Sequence, residues 1–295
     1  MKTPAVTPDT DHLPPILAAL RTRTTKARSP EAEAFATAFY QRMDAAEYAQ
    51  HGAEGWAALV AGMLEFVRQR KRGHANIRLF NPNMKEHGWE SAHTVVQVAN
   101  DDMPFLVDSV TMALAEMGIG VHVLGHPVIR IRRDKAGKLL AIGEGERESL
   151  MHLEIDRQPQ AAMATIKARL AQALEDVRAI VADWEPMQDR MREVAEELGT
   201  RTLPLSDAGK REAQEFLRWA ANDHFTFLGY REYKVAKQGK DEVLVADEDS
   251  GMGLLRGKDS GAPRLLKSLA AHGMPQSGAV DALILTKTNA RATVH

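Results

Sequence analysis

Between about residues 90 and 183 the apolar side chains switch repeatedly between a two-residue and a 3.6-residue spacing. The order they spell is strand, helix, strand, strand, strand, helix. HTVVQVA (93–99) alternates as a strand. In NDDMP, Asn100, Asp101 and Asp102 offer helix-capping oxygens and Pro104 is expected just inside a helix. Leu106, Val110, Ala113, Leu114 and Met117 then keep helical spacing until Gly118 stops it. IGVHVLGHPVIRIRR reads as a strand bent at Gly125 and Pro127, and DKAGK turns it back into LLAI. SLMHLEIDR places Met151, Leu153 and Ile155 on one face and His152, Glu154 and Asp156 on the other. A helix follows from about Ala161 to Asp183, with Ile166, Leu170, Leu174, Val177 and Ile180 along one side. Burying those five side chains would contribute roughly 8–15 kcal/mol before conformational entropy is charged. A hairpin between two helices that cover one face of an antiparallel sheet is a split α+β sandwich.

The flanks are mainly helical. MKTPAVTPDTDHLPP shows no periodicity, and residues 1–28 are read as a mobile arm. Ser29, Pro30, Glu31 and Glu33 open a helix faced by Phe35, Ala38, Phe39 and Met43. Trp56, Leu59, Val60, Met63, Leu64 and Val67 form an unbroken stripe on the next. It runs into RQRKRG, where basic side chains complement the helix C-terminus and Gly73 ends it. NIRLF (76–80) reads as a strand. Beyond Trp184-Glu185-Pro186, which breaks the long helix, come a helix over Met187–Leu198 stopped by Gly199, the linker TRTLPLSDAG, and a helix through Ala213, Phe216, Leu217 and Ala220. FTFLGYREYKV and DEVLVA form a hairpin, RLLKSLAAHG a short helix and ALILTKT a last strand. The chain stops at RATVH with nothing to cap that strand, so it is expected to have been cut there.

Composition removes whole classes of function. The 295 residues contain no cysteine, which excludes disulfides, thiolate metal sites and cysteine nucleophiles. Thirty-eight Lys and Arg against 40 Asp and Glu leave a net charge of −2, with no field to gather nucleic acid or an anionic membrane. The 44% hydrophobic content supports a buried core. No apolar run approaches the ~18 residues of a membrane span, and the first twenty residues lack a signal peptide's apolar stretch. A cytoplasmic location is expected.

Candidate chemistry is sparse. Gly251-Met252-Gly253-Leu254-Leu255-Arg256-Gly257 nearly spells a dinucleotide fingerprint. Its third glycine is one position late, Pro263 interrupts the required helix, and no βαβ unit surrounds it, so it reads as a turn. His122, His126, His152 and Glu154 could converge on one sheet face as a zinc site; the competing reading makes them the polar, solvent-facing side of a half-buried sheet. Metal ligands are not expected. Gly-x-Ser-x-Gly is absent. The strands between 93 and 156 carry no aromatic residue on which RNA bases could stack.

Two sets of strings carry a resemblance. NDDMPFLVDSVTMALAEMGIGV (100–121) resembles the first strand, loop and helix of an ACT domain through Asp102, Pro104, Leu106, Val110, Leu114, Gly118 and Ile119. Phe105 stands where that pattern has the glycine that admits an amino-acid effector to the backbone. By this resemblance Asn100, Asp101 and Asp102 are the effector-binding candidates, and the fold is a ferredoxin-like ACT-type sandwich. More broadly, HTVVQVANDDMPFLVDSVTMAL, VHVLGHPVIRIRRDKAGKLL, RESLMHLEIDRQ, ANDHFTFLGYREY and TKTNARATVH resemble, in order, the N-terminal region of the large bacterial NAD-specific glutamate dehydrogenases. The resemblance implies a parent enzyme that oxidatively deaminates L-glutamate to 2-oxoglutarate and ammonium while NAD takes the hydride. It also implies that this segment serves regulation and assembly, with no catalytic or NAD-contacting residue of its own. Its partners would be other domains and subunits of a homo-oligomer, and an amino-acid effector. The alternative is a free-standing ACT-like module that senses an amino acid. The expected organisation is an arm (1–28), a helical leader (29–75), an ACT-like domain (76–185), a helical connector (186–222) and the start of a second, truncated α+β module (223–295).

Overall fold

In the computed structural model, residues 13–40, 51–202, 205–238, 241–257 and 282–283 are described. The chain divides into two compact units, Met1–Leu174 and Glu175–His295.

The first unit opens with three helices. α1 (Leu13–Arg23) falls in the stretch expected to be a mobile arm, yet Ile16, Ala19 and Leu20 are buried at helical spacing. Pro14 and Pro15 fall in its first turn, where they do not interrupt it. In a helix's first turn the missing N–H has no intrahelical acceptor to lose. α2 (Ser29–Tyr40) buries Phe35, Ala36, Phe39 and Tyr40. Met43, assigned to the same stripe, lies outside the described residues. α3 (Gly52–Val67) buries every member of its stripe from Trp56 to Val67.

The sheet is antiparallel throughout. β1 (Asn76–Phe80) pairs with β2 (Thr94–Asp101), the short helix α4 (Met84–His87) lying between them in sequence. α5 (Leu106–Glu116) leads to β3 (Val121–Gly125) and β4 (Val128–Arg133). β5 (Leu139–Ile142) returns as a hairpin and β6 (Glu146–Ile155) enters the centre. The order is β1-β2-β6-β4-β5, with β3 also on β6. β3 meets residues 152–155 and β4 residues 146–149, so the two are one edge bent at Gly125–Pro127, as the sequence suggested. The strand flanking β2 on its far side is β1, which precedes the split βαβ unit in the chain.

Both faces of this sheet are covered. One carries Val95, Ala99, Ile129, Ile131, Leu139 and Leu150, which share a single core with α1, α2 and α3. Residues of opposite parity, Val96, Val98, Met151, Leu153 and Ile155, are equally buried. So are the inward stripes of α5 and of the first half of α6 (Gln160–Ala182), two helices joined by the ion pair Arg169–Glu116 at 2.5 Å.

In the second unit α7 (Trp184–Thr200) starts straight after α6, with Pro186 in its first turn and Gly199 inside its last. α8 (Asp207–Trp219) is capped by Ser206, whose hydroxyl accepts from the Gly209 N–H. Met187, Met191, Ala220, Ala221, Phe227 and Tyr230 form the core. β7 (Gly229–Tyr230) pairs with β10 (Met252–Gly253). The expected hairpin is present as β8 (Glu232–Gln238) and β9 (Asp241–Ala246), and β11 (Ala282–Leu283) adds to β8. The helix assigned to RLLKSLAAHG, the rest of ALILTKT and the terminal RATVH lie outside the described residues. No helix among those described is long and apolar enough to cross a membrane.

Candidate functional site

The effector candidates sit at the end of β2. Its pairing with β6 continues to Asp101, opposite Glu148, and the cap position of α5 falls at Phe105, beyond all three. α5 begins only at Leu106, after Phe105, and Pro104 lies outside it. Asp101 accepts from Arg70 Nη2 at 2.8 Å and from the Gly73 N–H at 2.9 Å. Asp102 takes Arg147 Nε at 2.9 Å. Asn100 is buried opposite Ser149. Phe105 has φ of +68°, the left-handed conformation a glycine holds freely, and its side chain is exposed. The turn therefore keeps the glycine-type backbone without the glycine, at a cost on the order of 1 kcal/mol.

The four metal candidates go to different partners. His122 Nε2 meets Asp156 at 2.7 Å, and its ring stacks on His93 with centroids 4.1 Å apart. The Gly120 N–H and His122 hold the Asp156 carboxyl below its usual range. His126 Nε2 meets the Ser149 hydroxyl at 2.6 Å. Among the described residues no three His, Asp or Glu side chains are placed to hold a metal ion.

His152 and Glu154 overturn the expectation of a solvent-facing side. They are 1% and 0% exposed, because α1–α3 cover the face on which they lie. They anchor a buried polar seam. Glu154 accepts from Ser91 Oγ at 2.5 Å and meets His51 Nε2, just before α3, at 2.7 Å. The His51 ring lies 5.0 Å, centroid to centroid, from both Trp56 and Trp89. His152 Nδ1 meets Gln97 Nε2 at 3.2 Å, and Gln97 Oε1 accepts from Arg78 Nε at 2.6 Å. Arg78 also donates to the Gly62 carbonyl of α3 at 2.9 Å and lies between the rings of Phe66 and Phe80. Burial works to raise the Glu154 pKa, but the two histidines and Ser91 outweigh it and hold the carboxyl far below its usual range. Burial brings Arg78 down to about 10. It also lowers His152 against the opposing pull of Glu154.

A second buried cluster reinterprets the basic run after α3. The helix ends at Val67, not at Gly73, and the chain then runs along the β4–β5 turn: Gln69 bridges Lys138, and Arg70 N donates to the Gly137 carbonyl. Arg70 is 2% exposed and bonds Glu148, Asp101 and the His74 carbonyl. Glu148 also takes a fork from Arg133 at 2.6 and 2.9 Å. Burial opposes the charged form of Glu148, yet Arg133 and Arg70 hold its pKa low. Arg70 is thus a buried ion, whereas the sequence places it at a helix end whose dipole it complements. Nothing local in RQRKRG separates Arg70 from its neighbours.

In the second unit the glycine-rich run forms a tight turn. Gly253, with φ of +58°, donates its N–H to Asp183 at 2.7 Å, and Arg256 pairs with the same carboxylate. A Cβ at Gly253 would overlap the Leu228 carbonyl oxygen. These groups fix a turn against Asp183. Glu148, Glu154, Arg70 and Arg133 are bonded to one another or to neighbouring side chains, and Ser149, whose hydroxyl meets His126, is fully buried. The arrangement is suited to holding elements together.

Comparison with known proteins matches residues 35–170 to the family described as "Glutamate dehydrogenase, ACT1 domain". The chain is 35% identical over 246 residues to the NAD-specific glutamate dehydrogenase of Halomonas elongata and 35% over 235 residues to that of Pseudomonas aeruginosa. It is 30% identical over 179 residues to that of Mycobacterium tuberculosis. These alignments take in 80%, 77% and 58% of the chain but 15%, 14% and 11% of the relatives. The chain therefore spans about one seventh of the length of the relatives it matches.

Proposed function

We propose, for a chain that belongs to the NAD-specific glutamate dehydrogenase family and carries its ACT1 domain, that it is a regulatory and assembly segment of such an enzyme and is non-catalytic alone. The parent reaction would be oxidative deamination of L-glutamate to 2-oxoglutarate and ammonium with reduction of NAD, in the cytoplasm. NAD would bind elsewhere in the parent. Partners would be other domains and subunits of a homo-oligomer. Within the chain we assign residues 29–75 to a leader, 76–185 to a ferredoxin-like ACT-type domain, 186–222 to a connector and 223–295 to the start of a second module.

The observation that carries this reading is the engagement of the polar groups with one another. Glu148, Glu154, Arg70 and Arg133 are buried in mutual bonds that join secondary-structure elements. Asn100, Asp101 and Asp102 remain the effector candidates, at the end of β2 beside the left-handed Phe105 turn. An amino-acid ammonium reaching Asp102 would compete with Arg147.

The test is spectrophotometric. The purified 295-residue chain, given L-glutamate and NAD, is expected to form no NADH at 340 nm. Sustained glutamate-dependent turnover would overturn the proposal. Calorimetric titration with an amino-acid panel separates the alternative of a free-standing sensor, for which saturable binding weakened by Asp102→Asn would speak.

A further inference from the structure

The seam beneath α3 contains a directional hydrogen-bond chain. Arg78 carries only donors, so the atom of Gln97 that meets its Nε is the amide oxygen. That bond fixes the orientation of the amide and turns its NH₂ toward His152 Nδ1. Nδ1 must then accept, and the ring's one proton resides on Nε2. Nε2 points toward Glu154 Oε1 but stops at 3.8 Å, beyond hydrogen-bond range, and has no other partner. Arg78, through Gln97, thus selects the neutral tautomer of a histidine excluded from solvent.

We propose that the Arg78–Gln97–His152 chain is a proton-sensitive joint between α3 and the sheet, closed while His152 is neutral and broken when it is protonated. A proton on Nδ1 would face the Gln97 NH₂, donor against donor. Relief requires the amide to turn over, and its NH₂ would then face Arg78 Nε. The conflict passes along the chain to the residue that holds the Gly62 carbonyl of α3.

The surrounding charges do not remove it. Facing His152 among the described residues are Glu154 on its own strand, His51 at the start of α3 and Arg78 on β1; Gln97 on β2 and Trp89 are neutral, and β3 presents the backbone of Gly125. Glu154 is already bonded by His51 and Ser91. A second cation would join Arg78 in a space with one carboxylate. Burial depresses the His152 pKa, so the sign is fixed. The joint's contribution is complete above the ordinary histidine value of about 6.5 and falls as pH drops below it. The unfolding equilibrium constant should rise by up to about tenfold per pH unit in that range from this residue alone.

The test is ¹H–¹³C NMR titration of the histidine rings in the full chain, with amide exchange of α3 followed at each pH. In the wild type, His152 is expected to remain neutral well below pH 6.5, with a neutral Nε2–H signature, and α3 protection to fall as it protonates. Gln97→Glu puts an acceptor opposite both Arg78 and Nδ1, so the His152 titration should move upward by at least one pH unit, with α3 protected at acidic pH. His152→Gln should lose this part of the pH dependence. The proposal is overturned if His152 titrates near 6.5 with α3 unaffected, or if Gln97→Glu leaves its titration in place. Should His152→Gln fail to fold, the wild type and Gln97→Glu decide the matter.

Discussion

Arg70 shows what a single side chain does in this protein. Its guanidinium touches the two carboxylates of Glu148 and Asp101 and the backbone at His74, joining the chain after α3 to β2 and β6. Removing one partner of a buried ion pair leaves the other desolvated, which costs more than the pair itself contributes. Arg70→Met should therefore destabilise the first unit by about 3 kcal/mol, because Glu148 would keep only Arg133. Urea unfolding at pH 7 checks this. Arg70→Lys should recover only part of the loss, since an ammonium cannot present the guanidinium fork to several acceptors. His152 and Glu154 lie buried under α1–α3, where the alternation along their strand suggests a zinc site or a solvent-facing side. Strand parity says which side chains share a face; it does not say what covers that face.

Among the elements, those legible from sequence are those whose signal is local. The stripe from Trp56 to Val67, the period-two run of β2, the turn DKAGK and the bend at Gly125–Pro127 all appear where their residues placed them. The misses depend on distant contacts or on context. α1 was hidden by two prolines that are harmless at a helix start. The end of β2 reads as a cap in the sequence because the ion pairs that hold Asp101 and Asp102 come from residues 31 and 45 positions away. The β4–β5 turn offers a test at this scale. Gly137 has φ of +89°, and a Cβ there would overlap the Arg70 carbonyl oxygen, whereas Gly143 has φ of +91° with open space around it. Gly143→Ala should cost only the left-handed strain of ~1–2 kcal/mol. Gly137→Ala should cost clearly more, because the run at 69–70 must move. Equal melting temperatures for the two variants would contradict the packing of that run against the turn.

For the molecule as a whole, the sheet of the first unit is enclosed. The stripes of α5 and of the first half of α6 are buried, as are the sheet residues of one parity, while α1, α2 and α3 share a core with the other. The sequence order of spacings yields the α+β class and the split unit, and the glutamate dehydrogenase resemblance is matched over residues 35–170. What it could not yield is that α1, α2 and α3 belong to the same core as the sheet, since that follows from Phe35, Phe39, Trp56 and Met63 meeting Val95, Ile129 and Leu150 in three dimensions. A two-sided sheet whose buried polar groups are sealed by α1–α3 supports the proposal that this segment is a scaffold. Native-state hydrogen exchange of the full chain in low urea at pH 7 tests that claim most directly. Amides of α3 and of β6 are predicted to converge on one opening free energy with one urea dependence. Exchange of α1–α3 through a separate, lower-energy opening while β2 and β6 stay protected would contradict it.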